Sequence, residues 1–258
     1  LHVGDGKERS RLRCSTYWDV RLIGGVMVWI ALVFPALGAE GDSADGETTA
    51  SPPAEMKGLP LLHFEAFEKD PAETLNQWKP TDPKAWAIVE TEQGHAYALQ
   101  GKSDYNPPVR SPLNISLLTT LDVTDFVLQA DMKQTGTEYG HRDMCIFFGY
   151  QDPSHFYYVH IATKADEHAN SVFIVNNEPR LSIARERTDG TDWGSGVYHK
   201  VRVERDCTSG SIKVFFDDMS KPIMTAEDKT FLYGKVGFGS FDDTGIVDNV
   251  TLWGKKKG

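Results

Sequence analysis

Residues Tyr139–Asn170 read YGHRDMCIFFGYQDPSHFYYVHIATKADEHAN, two apolar, aromatic-rich runs bracketed by His, Arg, Lys, Asp and Asn. The first run, Asp143 to Tyr150, leads into the turn formers Gln151-Asp152-Pro153-Ser154, and the second, His155 to Thr163, follows at once. The pair therefore reads as a β-hairpin. Strand side chains alternate between faces, which puts Tyr157, Val159 and Ile161 on a core face and Phe156, Tyr158 and His160 on the other. An aromatic face that also titrates suits a sugar, because a ring stacks on the apolar side of a pyranose while polar tips address its hydroxyls. The same residues are equally consistent with an ordinary half-exposed strand.

The rest of the chain has the same texture. After Gly58 come short alternating runs at close spacing: Leu61–Phe67, Trp86–Glu90, His95–Leu99, Leu113–Thr119, Phe126–Lys133, Ser171–Asn176, Arg180–Ala184, Tyr198–Arg205, Ser211–Asp217, Pro222–Thr225, Lys235–Phe241 and Ile246–Trp253. Pro71–Trp78 is the best short-helix candidate, and no longer helical period occurs. Many short strands without βα alternation predict an all-β fold of two packed antiparallel sheets. Phe126, Leu128, Ala130 and Met132 against Val127, Gln129, Asp131 and Lys133 show one buried and one wet face.

The chain has 258 residues, 40% of them hydrophobic, and a formal net charge of −10. That length supports one good-sized domain plus a tail. Nucleic acid is not an expected partner, since the only basic cluster is the short tail at Lys255–Lys257. Arg11, Arg13 and Arg21 precede the apolar run Leu22–Leu37, followed by small residues and then acid, which reads as a leader with a secretory signal peptide over residues 1–39. The reading implies a secreted or periplasmic protein with no stable membrane span after cleavage. Residues 40–57, rich in Gly, Ser, Thr, Pro and acid, read as a disordered linker, residues 58–254 as the β-sandwich, and residues 255–258 as a basic tail. Three cysteines are too few for a disulfide scaffold. Cys14 falls in the leader, and a Cys145–Cys207 bridge stays open.

Val197-Tyr198-His199-Lys200-Val201-Arg202-Val203-Glu204-Arg205 followed by Ser209-Gly210-Ser211-Ile212-Lys213-Val214-Phe215-Phe216-Asp217-Asp218 resembles the laminin-G-type signature of the concanavalin A-like lectin/glucanase superfamily. Asp218 stands where that pattern ends in Gly. Gly234–Phe241 and Ile246–Leu252 are similar to the last strands of such domains. The resemblance implies a concanavalin A-like two-sheet antiparallel jelly-roll sandwich, with one sheet curved into a groove that in many relatives holds a poly- or oligosaccharide.

Retaining glucanases of this fold need two carboxylates on one strand; the Glu-x-Asp-x-x-Glu run here, Glu68–Glu73, contains Pro71 and passes from the end of the strand candidate Leu61–Phe67 into the short-helix candidate rather than lying on a strand. A lyase needs a group to neutralise a uronate, a Tyr or His base and a proton donor. His141, Arg142, Tyr158 and His160 are the catalytic candidates for lyase-like or keto-disaccharide hydrolase-like chemistry. Phe156, Lys164, Asp166, His168, Asn170 and Trp193 are the ligand-binding candidates, Trp193 because it stands in a Gly/Asp-rich loop. The structural reading of the same residues is a solvated loop with local ion pairs. Glu65 on the first strand, with Asp242, Asp243 or Asp248 near the last, offers hard oxygen ligands to a structural calcium ion, Glu65 and Asp248 being the pair selected. Three functions follow: a glycan-binding module, a glycan-active enzyme, or a laminin-G-like protein-interaction domain.

Overall fold

The computed structural model describes residues 51–258; the expected signal peptide and residues 40–50 of the expected linker lie outside the described residues. In chain order the strands are β1 (Glu55–Met56), β2 (Leu59–Glu65), β3 (Trp78–Pro80), β4 (Trp86–Thr91), β5 (Gly94–Leu99), β6 (Asn114–Gln134), β7 (Asp143–Asp152), β8 (His155–Ala162), β9 (Ser171–Asn176), β10 (Leu181–Ser182), β11 (Ala184–Arg187), β12 (His199–Arg205), β13 (Ser211–Phe216), β14 (Met224–Glu227), β15 (Gly234–Ser240) and β16 (Gly245–Lys256). The short helix α1, Pro71–Gln77, forms where expected, because Asp70 caps its first turn and Pro71 opens it.

All strand pairs are antiparallel, and β6 organises them. Its first half pairs with β15 on one side and β3 on the other. Its second half, from Phe126, pairs with β12 and β16. One layer therefore runs β3-β6-β15-β7-β8-β9-β10 and the other β11-β14-β13-β12-β6-β16, with β2 and β5 side by side on the far edge of β16. This is the two-sheet antiparallel sandwich expected from the alternation, with the jelly-roll arrangement that the resemblance implied. The sequence read β6 as two strands because Asp122-Val123-Thr124-Asp125 interrupts its apolar pattern; the chain instead continues from one layer into the other.

The main core lies between the layers. Ile146, Phe148, Tyr157, Val159 and Phe238 face Leu128, Met132, Val201, Val203, Val214 and Leu252 across it. Each buried aliphatic side chain contributes about 1.5–3 kcal/mol relative to exposure. In β15, Gly239 has no side chain for a packing reason: a Cβ there would lie 1.9 Å from the Asn114 carbonyl oxygen.

A second apolar cluster lies on the outer face of the first layer and corrects the sequence reading. Phe156 and Tyr158, expected to be open for stacking on a ligand, are completely buried with Cys145, Phe147 and Phe173. Tyr105 and Val109 of the 100–113 connection pack over them. Alternation shows which residues share a face but not what covers it, and Asn106-Pro107-Pro108 reads only as a loop. One further expectation changes, and the open question of a bridge is answered. Order begins before Gly58, since β1 pairs with β2 and Trp253 Nε1 donates to the Pro53 carbonyl at 2.7 Å. Cys145 and Cys207 are both free thiols, one under the 100–113 segment and the other in the β12–β13 connection, so no bridge joins them.

Candidate functional site

Strand register builds the site from β7 and β8. Asp143 and Cys145 share one face of β7, and Cys145 lies opposite His160 of β8. Asp143 is completely buried and collects donors: the Phe241 amide at 2.9 Å, Ser240 Oγ at 3.1 Å and Cys145 Sγ at 3.1 Å. His160 Nε2 lies 3.6 Å from the same carboxylate. Burial pushes the Asp143 carboxyl well above the ordinary carboxylate range, and the nearby Asp243 adds to the rise. Asp243 in turn accepts from Tyr139 Oη at 2.8 Å and from the Asp143 amide at 3.0 Å. The hub thus locks the 135–142 and 241–244 connections to the end of the first layer.

Above this hub is a cleft of about 210 Å³. His141, His160 and His168 line it together with Arg110, Arg180 and Tyr139, and Phe241 and Asp242 complete the wall. Phe241 is half-buried, with the Arg180 guanidinium 4.2 Å and that of Arg110 6.0 Å from its ring centre. Arg180 Nη1 donates to the Tyr158 hydroxyl at 3.1 Å. Asp166 stands behind the histidines: one carboxylate oxygen is 2.5 Å from His141 Nε2, and the other accepts from the His168 amide at 2.7 Å.

Three of the ten sequence-selected catalytic and ligand-binding residues, His141, His160 and His168, therefore meet in one cleft, with Asp166 supporting two of them. The others are placed elsewhere or enclosed. His160 is buried and pushed down to about 3 by desolvation and by the charge of Arg180; its Nδ1 accepts from the Asn170 amide and its Nε2 faces Asp143. Burial raises the Tyr158 hydroxyl well above its usual value. Neither group is arranged to take a proton from a ligand. Arg142 is buried and turns away from the cleft, donating through Nη2 to the Gly194 carbonyl at 2.7 Å. Trp193 is wholly buried, with Nε1 donating to Ile161 O at 3.1 Å. Asn170 is an internal strut: Oδ1 accepts from the Ala162 amide and Thr191 Oγ1, while Nδ2 donates to the Thr188 carbonyl. Lys164 is exposed, and its amide closes the hairpin end on the Gly140 carbonyl.

The sequence reading does not single out Arg110, Arg180, Phe241 or the hub at Asp143, and offers Asp242 as a calcium ligand rather than as part of this cleft. The Asp143-x-Cys145 spacing with His160 across the hairpin was available from register alone. The arginines and Phe241 come from distant connections and carry no local pattern. A larger depression of about 490 Å³ lies elsewhere, along Lys57, Asp125, Glu204 and Lys255. Two of its lysines are paired with its carboxylates, Lys57–Glu204 at 2.6 Å and Lys255–Asp125 at 2.8 Å.

Glu65 and Asp248 lie on the paired strands β2 and β16, both buried. Glu65 Oε1 accepts from the Phe67 amide at 3.0 Å, while Oε2 is buried without a hydrogen-bond partner. Burial pushes Asp248 up to about 6, with Asp131, Glu68 and Glu65 adding to the rise. An orphan carboxylate oxygen among acidic neighbours fits a hard cation. The sets of three His, Cys, Asp or Glu ligand atoms that do converge among the described residues are others, Asp143/Cys145/His160 and Asp143/Asp242/Asp243.

No protein-family model matches the chain, and no curated protein is similar to it in sequence. Solved structures with a related arrangement include a carbohydrate binding module, CBM66, from Bacillus subtilis, at 18% identity and a TM-score of 0.49 over 69% of this chain and 95% of that one. A Bacillus subtilis protein of unknown function with a galectin-like fold aligns at 11% identity and 0.48 over 77% and 97%. The seed lectin of Lotus tetragonolobus aligns at 12% and 0.48 over 76% and 99%. Likenesses at this level leave the ligand to be argued from the chain's own residues. No helix of the described residues is long and apolar enough to cross a membrane.

Proposed function

We propose that the chain is an exported, non-catalytic carbohydrate-binding sandwich whose ligand, a poly- or oligosaccharide, occupies the cleft beside Phe241. Export rests on the basic, apolar and acidic succession of the leader. One observation carries the binding reading: a half-buried aromatic ring shares a 210 Å³ cleft with hydrogen-bonding His, Arg and Tyr side chains. That is the combination of ring and polar tips a sugar requires, supplied by Phe241 rather than by Phe156, Tyr158 or Trp193. The burial of His160, whose Nδ1 already accepts from the Asn170 amide, and the enclosure of Tyr158 favour binding over proton abstraction. The test is calorimetry of the full chain against a saccharide panel, with product analysis of the same mixtures. Phe241→Ala is expected to weaken binding about tenfold or more, a loss of roughly 1.4 kcal/mol. Unaltered affinity would remove the cleft from the proposal, and soluble cleavage products would replace binding by catalysis.

Calcium held by Glu65 and Asp248 is a separate proposal, supported by the orphan oxygen of Glu65. It has a signed test. Asp248 keeps its proton to about pH 6 in the fold but to about pH 4 in an unfolded chain. The native state therefore binds the extra proton between these values, and stability is lost as pH rises through the window. In metal-free buffer Asp248→Asn is expected to stabilise the protein by roughly 2 kcal/mol at pH 7 and by nothing below about pH 4, as read by urea unfolding. With calcium the order inverts: the ion should raise the wild-type Tm and leave that of Asp248→Asn unchanged. A wild-type Tm that is the same in calcium and in chelator dismisses the ion.

A further inference from the structure

Resting on the cleft being the saccharide site, we infer that its ligand is anionic, with a carboxylate or sulfate group received between Arg110 and Arg180. Both guanidinium groups lie over the same ring, 6.0 and 4.2 Å from the centre of Phe241. Arg180 is half-buried and fixed: Nη1 is bonded to the Tyr158 hydroxyl, and its plane also lies 5.2 Å from the ring centre of Phe173. Its Nε is buried without a hydrogen-bond partner. The Arg180 backbone amide bonds the Arg110 carbonyl at 3.1 Å, so the two residues are held as neighbours.

Neither arginine takes part in an ion pair among the described residues, whereas Arg185 and Arg202 each have a glutamate partner within 4 Å. An arginine held by a hydroxyl and aromatic faces, with donors left over, is arranged for a planar or tetrahedral oxyanion. The remaining charges of the cleft do not cancel the pair. His141 is occupied by Asp166 and His168 by Glu167, and Asp242 is the one carboxylate of the lining. Partial enclosure strengthens the attraction relative to an open surface, and a neutral sugar would leave both guanidinium groups desolvated without an anion, which costs affinity.

The test uses the full chain and three ligands of matched length: a neutral oligosaccharide, a uronate-containing one and a sulfated one. An anionic ligand, with carboxylate or sulfate distinguished by which of the two is bound, is expected to bind about tenfold or more tighter than the neutral one, and its affinity should fall as salt rises. Arg110 is exposed, so Arg110→Gln is expected to fold normally and to lose most of that preference. Arg180→Gln should lose it as well, and Arg180→Lys should retain part of it if the change leaves the melting curve intact. Equal affinity for neutral and anionic ligands, in wild type and Arg110→Gln alike, overturns the anion preference while leaving saccharide binding in place. Failure to bind any of the three overturns both.

Discussion

Trp193→Ala is expected to lower the unfolding free energy by about 3–5 kcal/mol and to leave saccharide affinity where it was. The indole is wholly buried, edge-on to Phe216 and His199, and its N–H is satisfied by the Ile161 carbonyl. Truncation would open a cavity and orphan that carbonyl at once. His199 closes the same loop, with Nε2 2.9 Å from the Trp193 carbonyl and Nδ1 2.8 Å from Asp217. Thermal unfolding followed by far-UV circular dichroism should show Tm lowered by roughly 10 °C. A variant that melts like the wild type but no longer retains saccharide would return Trp193 to the binding site.

Asp143→Ala should cost a few kcal/mol, at about 1–3 kcal/mol for each buried donor left without an acceptor, and in addition abolish binding in the cleft. Four groups meet on this carboxyl: the Phe241 amide, Ser240 Oγ, Cys145 Sγ and, at 3.6 Å, His160 Nε2. Alanine would leave the first three without this acceptor. The loss should be concentrated locally, because the same contacts hold the connection that carries Phe241. Hydrogen exchange would show faster opening of the 135–142 and 241–244 segments than of β12 and β13. Uniform acceleration across both layers would mean that Asp143 supports the sandwich as a whole and not the cleft in particular.

The fold was legible because period-2 alternation is a local property. Phe126, Leu128, Ala130 and Met132 declare their common face without reference to any partner, and all four are buried as read. The site was only partly legible. His141 and His168 were visible as polar residues crowding a hairpin end, and both reach the cleft. Phe156 and Tyr158 misled because an apolar outer face looks the same whether it waits for a ligand or for its own chain. Here Tyr105 and Val109 cover it. Arg110 and Arg180 were illegible for a related reason: single charges in long connections acquire meaning only when the tertiary structure brings them over Phe241.

The continuity of β6 through both layers bears on how the molecule forms and how long it lasts. Both layers need their half of that one strand, and β2, which has only the two-residue β1 beside it locally, must wait for β16, nearly two hundred residues later, for its long partner. Such long loop closures precede most of the stabilising contacts, so assembly is slow. The same interlock leaves no layer free to detach whole by itself: separating the two sheets has to disrupt a strand shared by both, which favours a long lifetime over a rapid birth.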